Sequence, residues 1–305
     1  MVHYDLCLAW NWEHDADFVR LLEASCTSRG LSLLQVTPQN VAEILFWLTT
    51  QDVRINAFSD RASEVDHCFM PLVDWAEENA LRTINPHENA VRAWDKAIMY
   101  PCLSAAGLPT PYAMVLPSFN EQPVLPTIDL APLGDCFTIK PAHGSGGDGV
   151  VLGANSIDQV LSARLEYFND RYLLQSHVHA ACVEDRLAWF RVIYCLGEVY
   201  PFWWPPSTHI YSPVTQSEIT AIGLQPLFDI VGQIAALSGL DLFSSEIAMT
   251  GDGQFTIVDY TNEPIDFRLQ SQTPDGVPDQ YVERIAHRLA VLVRGIQLSS
   301  APFLD

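Results

Sequence analysis

Lysine is almost missing from this 305-residue chain. Two lysines stand beside fourteen arginines, and these 16 basic residues face 37 aspartates and glutamates. The resulting formal charge of -21 repels phosphodiester backbones and anionic lipid surfaces, which argues against nucleic acid and membranes as partners. Cysteine pairs with metal-ligand spacing are missing too. The seven cysteines, at 7, 26, 68, 102, 136, 182 and 195, form no CxxC and are odd in number, so a structural zinc is not expected and a reducing, cytoplasmic setting is. No apolar run approaches the roughly 18 residues of a membrane span, and MVHYDLCLAWNWEHD lacks the basic n-region of a signal peptide. Repeats of roughly 20 to 50 residues and low-complexity tracts are absent as well, which sets solenoids and linkers aside. What is present, 49% hydrophobic and 17% charged residues, is the composition of a globular chain long enough for two domains or one domain with lobes.

Three stretches emerge along the chain. Residues 1–84 alternate strand-like runs (Tyr4 to Trp10, Leu31 to Val36, Val53 to Phe58) with helical runs such as Asp17 to Ser25, a βαβ pattern that predicts a parallel sheet. Residues 85–178 begin with Asn85-Pro86-His87-Glu88, read as an N-cap, a first-turn proline and a capping-box glutamate. The helix that follows carries an apolar stripe of Val91, Trp94 and Ile98, is expected to kink at Pro101, and ends at Gly107-Leu108-Pro109. Strands at Cys136–Lys140, Val150–Gly153 and Tyr172–Val178, with a helix at Ser156–Tyr167, then predict a small α+β lobe. Residues 179–305 supply a strand from Arg191, a helix with Leu227, Ile230, Val231, Ile234 and Leu237 on one face and Gly239 at its end, a hairpin Phe243–Tyr260, and a last helix from about Asp279 to Val293.

Chemistry concentrates in two places. The segment Lys140-Pro141-Ala142-His143-Gly144-Ser145-Gly146-Gly147-Asp148-Gly149-Val150 leaves one strand and enters another through four glycines in six residues. Glycine lets backbone N–H groups turn toward an anion, so Gly144, Ser145, Gly146, Gly147 and Gly149 read as a phosphate cradle. It is neither a Walker loop nor a dinucleotide fingerprint, because no Gly-Lys-Ser/Thr follows and a strand rather than a helix comes next. In the hairpin, a two-residue Asp252-Gly253 turn would set Glu246 opposite Asp259, with Cβ atoms roughly 4.5 to 5.5 Å apart. Two opposed carboxylates repel unless a cation joins them, and hard oxygens suit Mg²⁺. The aromatic, proline-rich run to Tyr211, FWWPPSTHIY, reads either as a substrate wall or as packing between lobes. The histidines His143, His177 and His209 show no metal-ligand spacing.

Four elements in this order resemble the ATP-grasp superfamily of carboxylate-amine ligases, which includes D-alanine-D-alanine ligase and glutathione synthetase. They are Asp95-Lys96 before Gly107-Leu108-Pro109-Thr110-Pro111, the Lys140 to Val150 loop, Leu174-Gln175-Ser176-His177-Val178, and Glu246 with Asp259-Tyr260-Thr261-Asn262. The resemblance implies an ATP-grasp fold of mixed α/β and α+β character, in which an N-terminal α/β lobe adjoins two lobes that clasp ATP. It implies phosphate contacts by Lys96 and Lys140, the only two lysines, and adenine contacts by Gln175 with the backbone of Ser176 and Val178. Glu184 or Asp185 is the implied ribose contact. Arg191 is the implied γ-phosphate and acyl-phosphate contact, and Arg268 the substrate contact. Glu246, Asp259 and Asn262 are the implied ligands of Mg²⁺, expected as two ions with Mn²⁺ as a substitute. Asp259 and Asn262 point oppositely in a regular strand, so a bulge must rotate Asn262 inward, or Thr261 or Glu263 takes its place. The implied activity joins a small-molecule or peptide carboxylate to an amine through an acyl phosphate. A small-molecule kinase and a non-catalytic nucleotide-binding module remain alternatives, and a homodimer is open.

Overall fold

The computed structural model describes residues 2–50, 53–144 and 146–300. Leu6, Cys7, Leu8 and Ala9 are fully buried, as a parallel strand covered by helices on both faces requires. They form the centre of β1 (Val2–Trp10), which pairs in parallel with β2 (Leu33–Val36) and β3 (Val53–Arg61). With β4 (Arg82–Ile84) the sheet order is β2-β1-β3-β4. Leu6 and Leu8 face α1 (Ala16–Thr27), whereas Cys7 and Ala9 face α2 (Val41–Thr50) and α3 (Met70–Glu78). The connections run outward in opposite directions from β1 and β3, so a crevice opens at the C-terminal ends of these two strands.

The connecting helix differs from the expectation. Asn85 does not cap it: the residue takes φ +55 and its amide bonds Leu242 and Asp241 of the distant hairpin region. The break falls at Asp95, not at Pro101, which sits inside a continuous helix. The Asp95 carboxylate accepts from Ala97 N (2.9 Å) and Ile98 N (3.1 Å). This cap ends α4 (His87–Trp94) and starts α5 (Lys96–Ala105). The break resets the helical phase, so Val91 and Ile98 are exposed while Ala93, Met99 and Leu103 are buried.

A second, antiparallel sheet has the order β5-β8-β6-β7, from β5 (Ala113–Leu116), β6 (Phe137–Pro141), β7 (Val151–Ala154) and β8 (Tyr172–Ser176). The helix α6 (Ile157–Glu166) covers one face over Phe137, Ile139 and Leu174. After a short hairpin, β9 (Cys182–Val183) and β10 (Arg186–Leu187), comes the third sheet. Its order is β13-β12-β11-β14-β15, from β11 (Trp189–Cys195), β12 (Glu198–Trp203), β13 (Ser212–Pro213), β14 (Leu242–Met249) and β15 (Phe255–Asn262). The aromatic run therefore begins as strand: Phe202 and Trp203 alternate into two different cores. The single turn α7 (Gln216–Glu218) precedes α8 (Pro226–Ser238), which ends at left-handed Gly239 (φ +72). The last helix, α9 (Asp279–Ser300), brings Ile285, Leu289 and Val293 into one core with Phe18 and Leu22 of the N-terminal lobe and with Ile193 and Phe202 of this sheet.

Candidate active site

The second and third sheets face each other across a cleft of about 1280 Å³, with the crevice of the N-terminal sheet opening at one end. The hairpin β14–β15 forms the floor. Its turn closes between Thr250 and Gln254 and is one residue longer than the Asp252-Gly253 turn expected; Gly253 takes the positive φ this turn needs. Near the turn the register is consequently one residue off, with Met249 opposite Phe255. A bulge at Val258 restores it, so that Glu246 does oppose Asp259. A second irregularity beyond Asp259 sets Asn262 opposite Ser244. Ser244 and Glu246 share a face of β14, and the two bulges place Asp259 and Asn262 on that face as well.

The Val258 bulge has a use. Its carbonyl accepts from Lys140 Nζ at 3.0 Å, across the cleft from β6, and from Gln175 Nε2 at 3.4 Å. Burial pulls the Lys140 pKa below the usual lysine value, opposed by the nearby Asp259 and Glu246 carboxylates. From the neighbouring strand β11, Arg191 stands opposite Glu246, pairs with its carboxylate and donates to Ser244 Oγ at 2.9 Å. Burial works against the Arg191 charge, but Tyr211, Glu246 and Asp259 outweigh it and raise the pKa. The two carboxylates expected to repel are thus already compensated by a guanidinium and an ammonium.

The glycine loop closes the cleft from the small lobe. Lys96, in the first turn of α5, donates from Nζ to Gly144 O (2.9 Å), and its backbone N–H to Ala142 O (2.9 Å), tying the helix start to the loop. Gly144, Gly146 and Gly147 line the cleft. Gly146 and Gly147 have open space where a Cβ would stand, so it is their left-handed φ of +63 and +84 that demands glycine. Gly149 is different: it does not line the cleft, and a Cβ there would lie 2.5 Å from the Tyr167 ring, so its place is packing. Ser145 lies outside the described residues.

Gln175, Ser176 and Val178 line the cleft beside the stacked-edge pair His177 and His179, whose rings are 4.6 Å apart. The Ser176 N–H is already bound to Tyr112 O (2.9 Å), which removes it as a base contact. Three further residues expected at the site do not line the cleft. Glu184 and Asp185 form the tip of the β9–β10 hairpin at positive φ (48 and 61), away from the cleft, with Glu184 72% exposed; the extra chain length they occupy makes a projecting turn. Arg268 also stays out of the cleft, held by Asp266 (2.8 Å) and Asp275 (3.0 Å) in an internal ion-pair cluster. Glu263 lines the cleft but is turned inward: it accepts from Asn85 (3.0 Å) and Trp94 (3.1 Å) and is pushed up to about 7 by burial. Thr261 lines the cleft with a buried hydroxyl that has no partner among the described residues.

Sequence reasoning missed Trp12, Glu64 and Val65, which also line the cleft. Trp204 lies between the Arg191 guanidinium (5.0 Å) and the parallel His209 ring (4.5 Å), so the aromatic run is partly cleft wall and partly core. Trp12 and Glu64 follow the C-terminal ends of β1 and β3, and that position was the available signal.

No family model and no curated protein matches this sequence. Solved structures do match over nearly the whole chain. The D-alanine–D-alanine ligase of Bacillus anthracis complexed with ATP gives a TM-score of 0.66 at 11% identity, covering 98% of this chain and 98% of that one. The ATP-grasp ligase PsnB complexed with precursor peptide PsnA2 and AMPPNP gives 0.64 at 15% identity, covering 97% and 98%. D-cycloserine synthetase DcsG gives 0.60 at 16% identity, covering 94% and 99%. The chain has the ATP-grasp fold.

Proposed function

We propose that this chain is an ATP-dependent ligase that joins a carboxylate to an amine and releases ADP and phosphate. The observation that carries the reading is the charge-balanced set Lys140, Arg191, Glu246 and Asp259 on facing sheets of one cleft, with a glycine loop over it. The structurally similar proteins, described as ligases, support it.

The donor set fits magnesium. Glu246, Asp259 and Asn262 offer hard oxygens on one face. Among the described residues no group of three His, Cys, Asp or Glu gathers as a self-sufficient metal cage, which suits an ion that takes its remaining oxygens from nucleotide phosphates. Bound there, magnesium would neutralise charge on the β- and γ-phosphates; two ions are proposed, with Mn²⁺ able to substitute. Lys96 and Lys140 would hold phosphate oxygens, Gly144, Gly146 and Gly147 would cradle them, and Gln175 would meet the adenine. In the reaction a substrate carboxylate oxygen attacks the γ-phosphorus and the bond to ADP breaks. An amine then attacks the acyl carbon, phosphate leaves with the electron pair, and the amine gives up its proton. Arg191, kept cationic, would stabilise the charge on the transferring group, so catalysis rests on positioning and electrostatics.

The test incubates the protein with Mg-ATP, a panel of small carboxylates and carboxyl-terminal peptides, and hydroxylamine in place of the amine. ADP release with formation of a hydroxamate is expected, since hydroxylamine intercepts an acyl phosphate. A stable phosphorylated product without hydroxamate would make the chain a kinase. Equal affinity for ADP and AMPPNP, with no ADP released from any carboxylate, would make it a binding module.

A further inference from the structure

The crevice at the C-terminal ends of β1 and β3 belongs to the same cleft, yet its walls differ in chemistry from the nucleotide side. Trp12 (40% exposed) and Val65 (73% exposed) bring apolar surface to it. Four permanent cations line the cleft among the described residues: Lys96, Lys140, Arg191 and Arg61. The first three stand at the glycine loop and the carboxylate floor. Arg61 is the one beside the crevice, and its charge is consumed: Asp15 accepts two bonds from it (2.9 and 2.6 Å), Ile265 O accepts a third (2.7 Å), and the rings of Phe18 and Phe267 lie 5.1 Å away. The Arg61 and Asp15 side chains are only 5% and 2% exposed. Glu64, by contrast, makes no hydrogen bond and no ion pair within 4 Å among the described residues, although it lines the cleft and is half-buried. Burial accordingly raises its pKa, with Lys96 opposing and Asp60 reinforcing. A half-buried carboxylate without a hydrogen-bonded partner favours a cationic ligand, and the one cation whose field reaches it, Lys96, is turned to Gly144 O of the glycine loop, so a second anion beside Glu64 would meet carboxylate first.

We propose that this crevice binds the amine partner of the ligation, and that this partner is an aromatic or bulky apolar primary amine with no carboxylate or phosphate of its own, its ammonium set against Glu64 and its apolar body against Trp12 and Val65. The inference rests on the ligase reading and adds the class of the acceptor. The cleft volume of about 1280 Å³ exceeds the roughly 300 to 1,000 Å³ usual for one small ligand, which leaves room for such a body beside a nucleotide. A free arylalkylamine and the amino terminus of a peptide share this chemistry.

Calorimetric titration of the intact protein, saturated with Mg-AMPPNP, tests it with phenethylamine, tryptamine, phenylalaninamide, phenylalanine, tryptophan and ethylamine. Phenethylamine and tryptamine are expected to bind at least about tenfold tighter than phenylalanine, tryptophan or ethylamine. Phenylalaninamide binding as well as phenethylamine assigns a peptide terminus; weaker binding assigns a free amine. Glu64→Gln and Trp12→Ala are each expected to weaken tryptamine by about tenfold, and Trp12→Ala to leave AMPPNP affinity unchanged. Because Trp12 is exposed, that variant decides the matter even if Glu64→Gln fails to fold. Amino acids binding as tightly as their amines, no amine binding, or tryptamine binding unaffected by Trp12→Ala would overturn the inference. Failure of AMPPNP itself to bind would instead remove the ligase reading beneath it.

Discussion

Glu246 pairs with Arg191 and is also a ligand proposed for magnesium. The Arg191 side chain is 9% exposed and Glu246 is its ion-pair partner, so Glu246→Gln leaves a buried guanidinium with only Ser244 Oγ, Tyr211 and the field of Asp259 in support and is expected to lower stability by about 3 kcal/mol in the absence of magnesium. Asp259 makes no hydrogen bond among the described residues, so Asp259→Asn should leave the magnesium-free melting temperature nearly unchanged. Both variants should lose magnesium-dependent turnover. Thermal denaturation in chelator separates them, and equal melting temperatures would show that Arg191 does not depend on Glu246. Lys140 sits differently. Its half-buried ammonium donates, among the described residues, only to Val258 O, which Gln175 also reaches. Lys140→Ala should therefore fold, while losing roughly 2 to 4 kcal/mol of transition-state stabilisation by analogy with removal of one preorganised donor. Near-normal kcat/KM would take Lys140 out of the chemistry.

At the scale of elements, local chemistry that is self-contained was legible and chemistry that depends on distant partners was not. The strand periods and the glycine loop come from side-chain alternation and backbone freedom, which are local. The facing of Glu246 and Asp259 was legible only because a bulge at Val258 cancels a longer turn, and nothing in a single strand announces either. Asn85 and Asp95 show the limit: each has the residue type of a cap, but the amide of Asn85 is claimed by Leu242 and Asp241, so α4 starts without a side-chain cap while Asp95 caps α5. Glu184 and Asp185 lie outside the cleft lining because the extra residues after the hinge fold into their own hairpin. That hairpin is anchored through Arg186, which pairs with Glu218 and lies 4.0 Å over the Trp203 ring. Glu218 also closes the capping box of α7 with Thr215 and accepts from Trp203 Nε1 at 3.2 Å. Burial opposes its charge, but Arg186 and Thr215 outweigh burial and hold the carboxyl down at about 2, from an ordinary 4.5. A depressed folded-state pKa gives stability that is present above 4.5 and lost as pH falls to about 2. Glu218→Gln is thus expected to cost on the order of 2 kcal/mol at neutral pH and progressively less on acidification. Urea midpoints of wild type and variant, measured from neutral pH down into this window, should converge; a constant gap would mean that Glu218 acts through shape alone.

For the whole molecule, the cores decide which parts stand or fall together. One core runs from Leu6, Leu8, Phe18 and Leu22 of the N-terminal lobe through Ile285, Leu289 and Val293 of α9 to Ile193, Phe202 and Leu242 of the large sheet. The small lobe has its own, built from Leu116, Phe137, Ile139, Val160 and Leu174. Continuous apolar packing makes a cooperative unit, and separately packed elements open on their own. The separately packed small lobe is therefore expected to open against the other two, which share a core, as admission and closure around a nucleotide would require. Ile285→Ala, which cuts a fully buried side chain, should cost about 2 to 5 kcal/mol and speed hydrogen exchange in β1, β3 and β11 together, although Ile285 lies far from all three in sequence. Leu174→Ala should cost a similar amount but speed exchange only within residues 113–176. Hydrogen exchange read peptide by peptide distinguishes the two patterns. Exchange confined to α9 in Ile285→Ala would show that the helix is an appendage, and that the N-terminal lobe and the large sheet are held together by something other than the core they share.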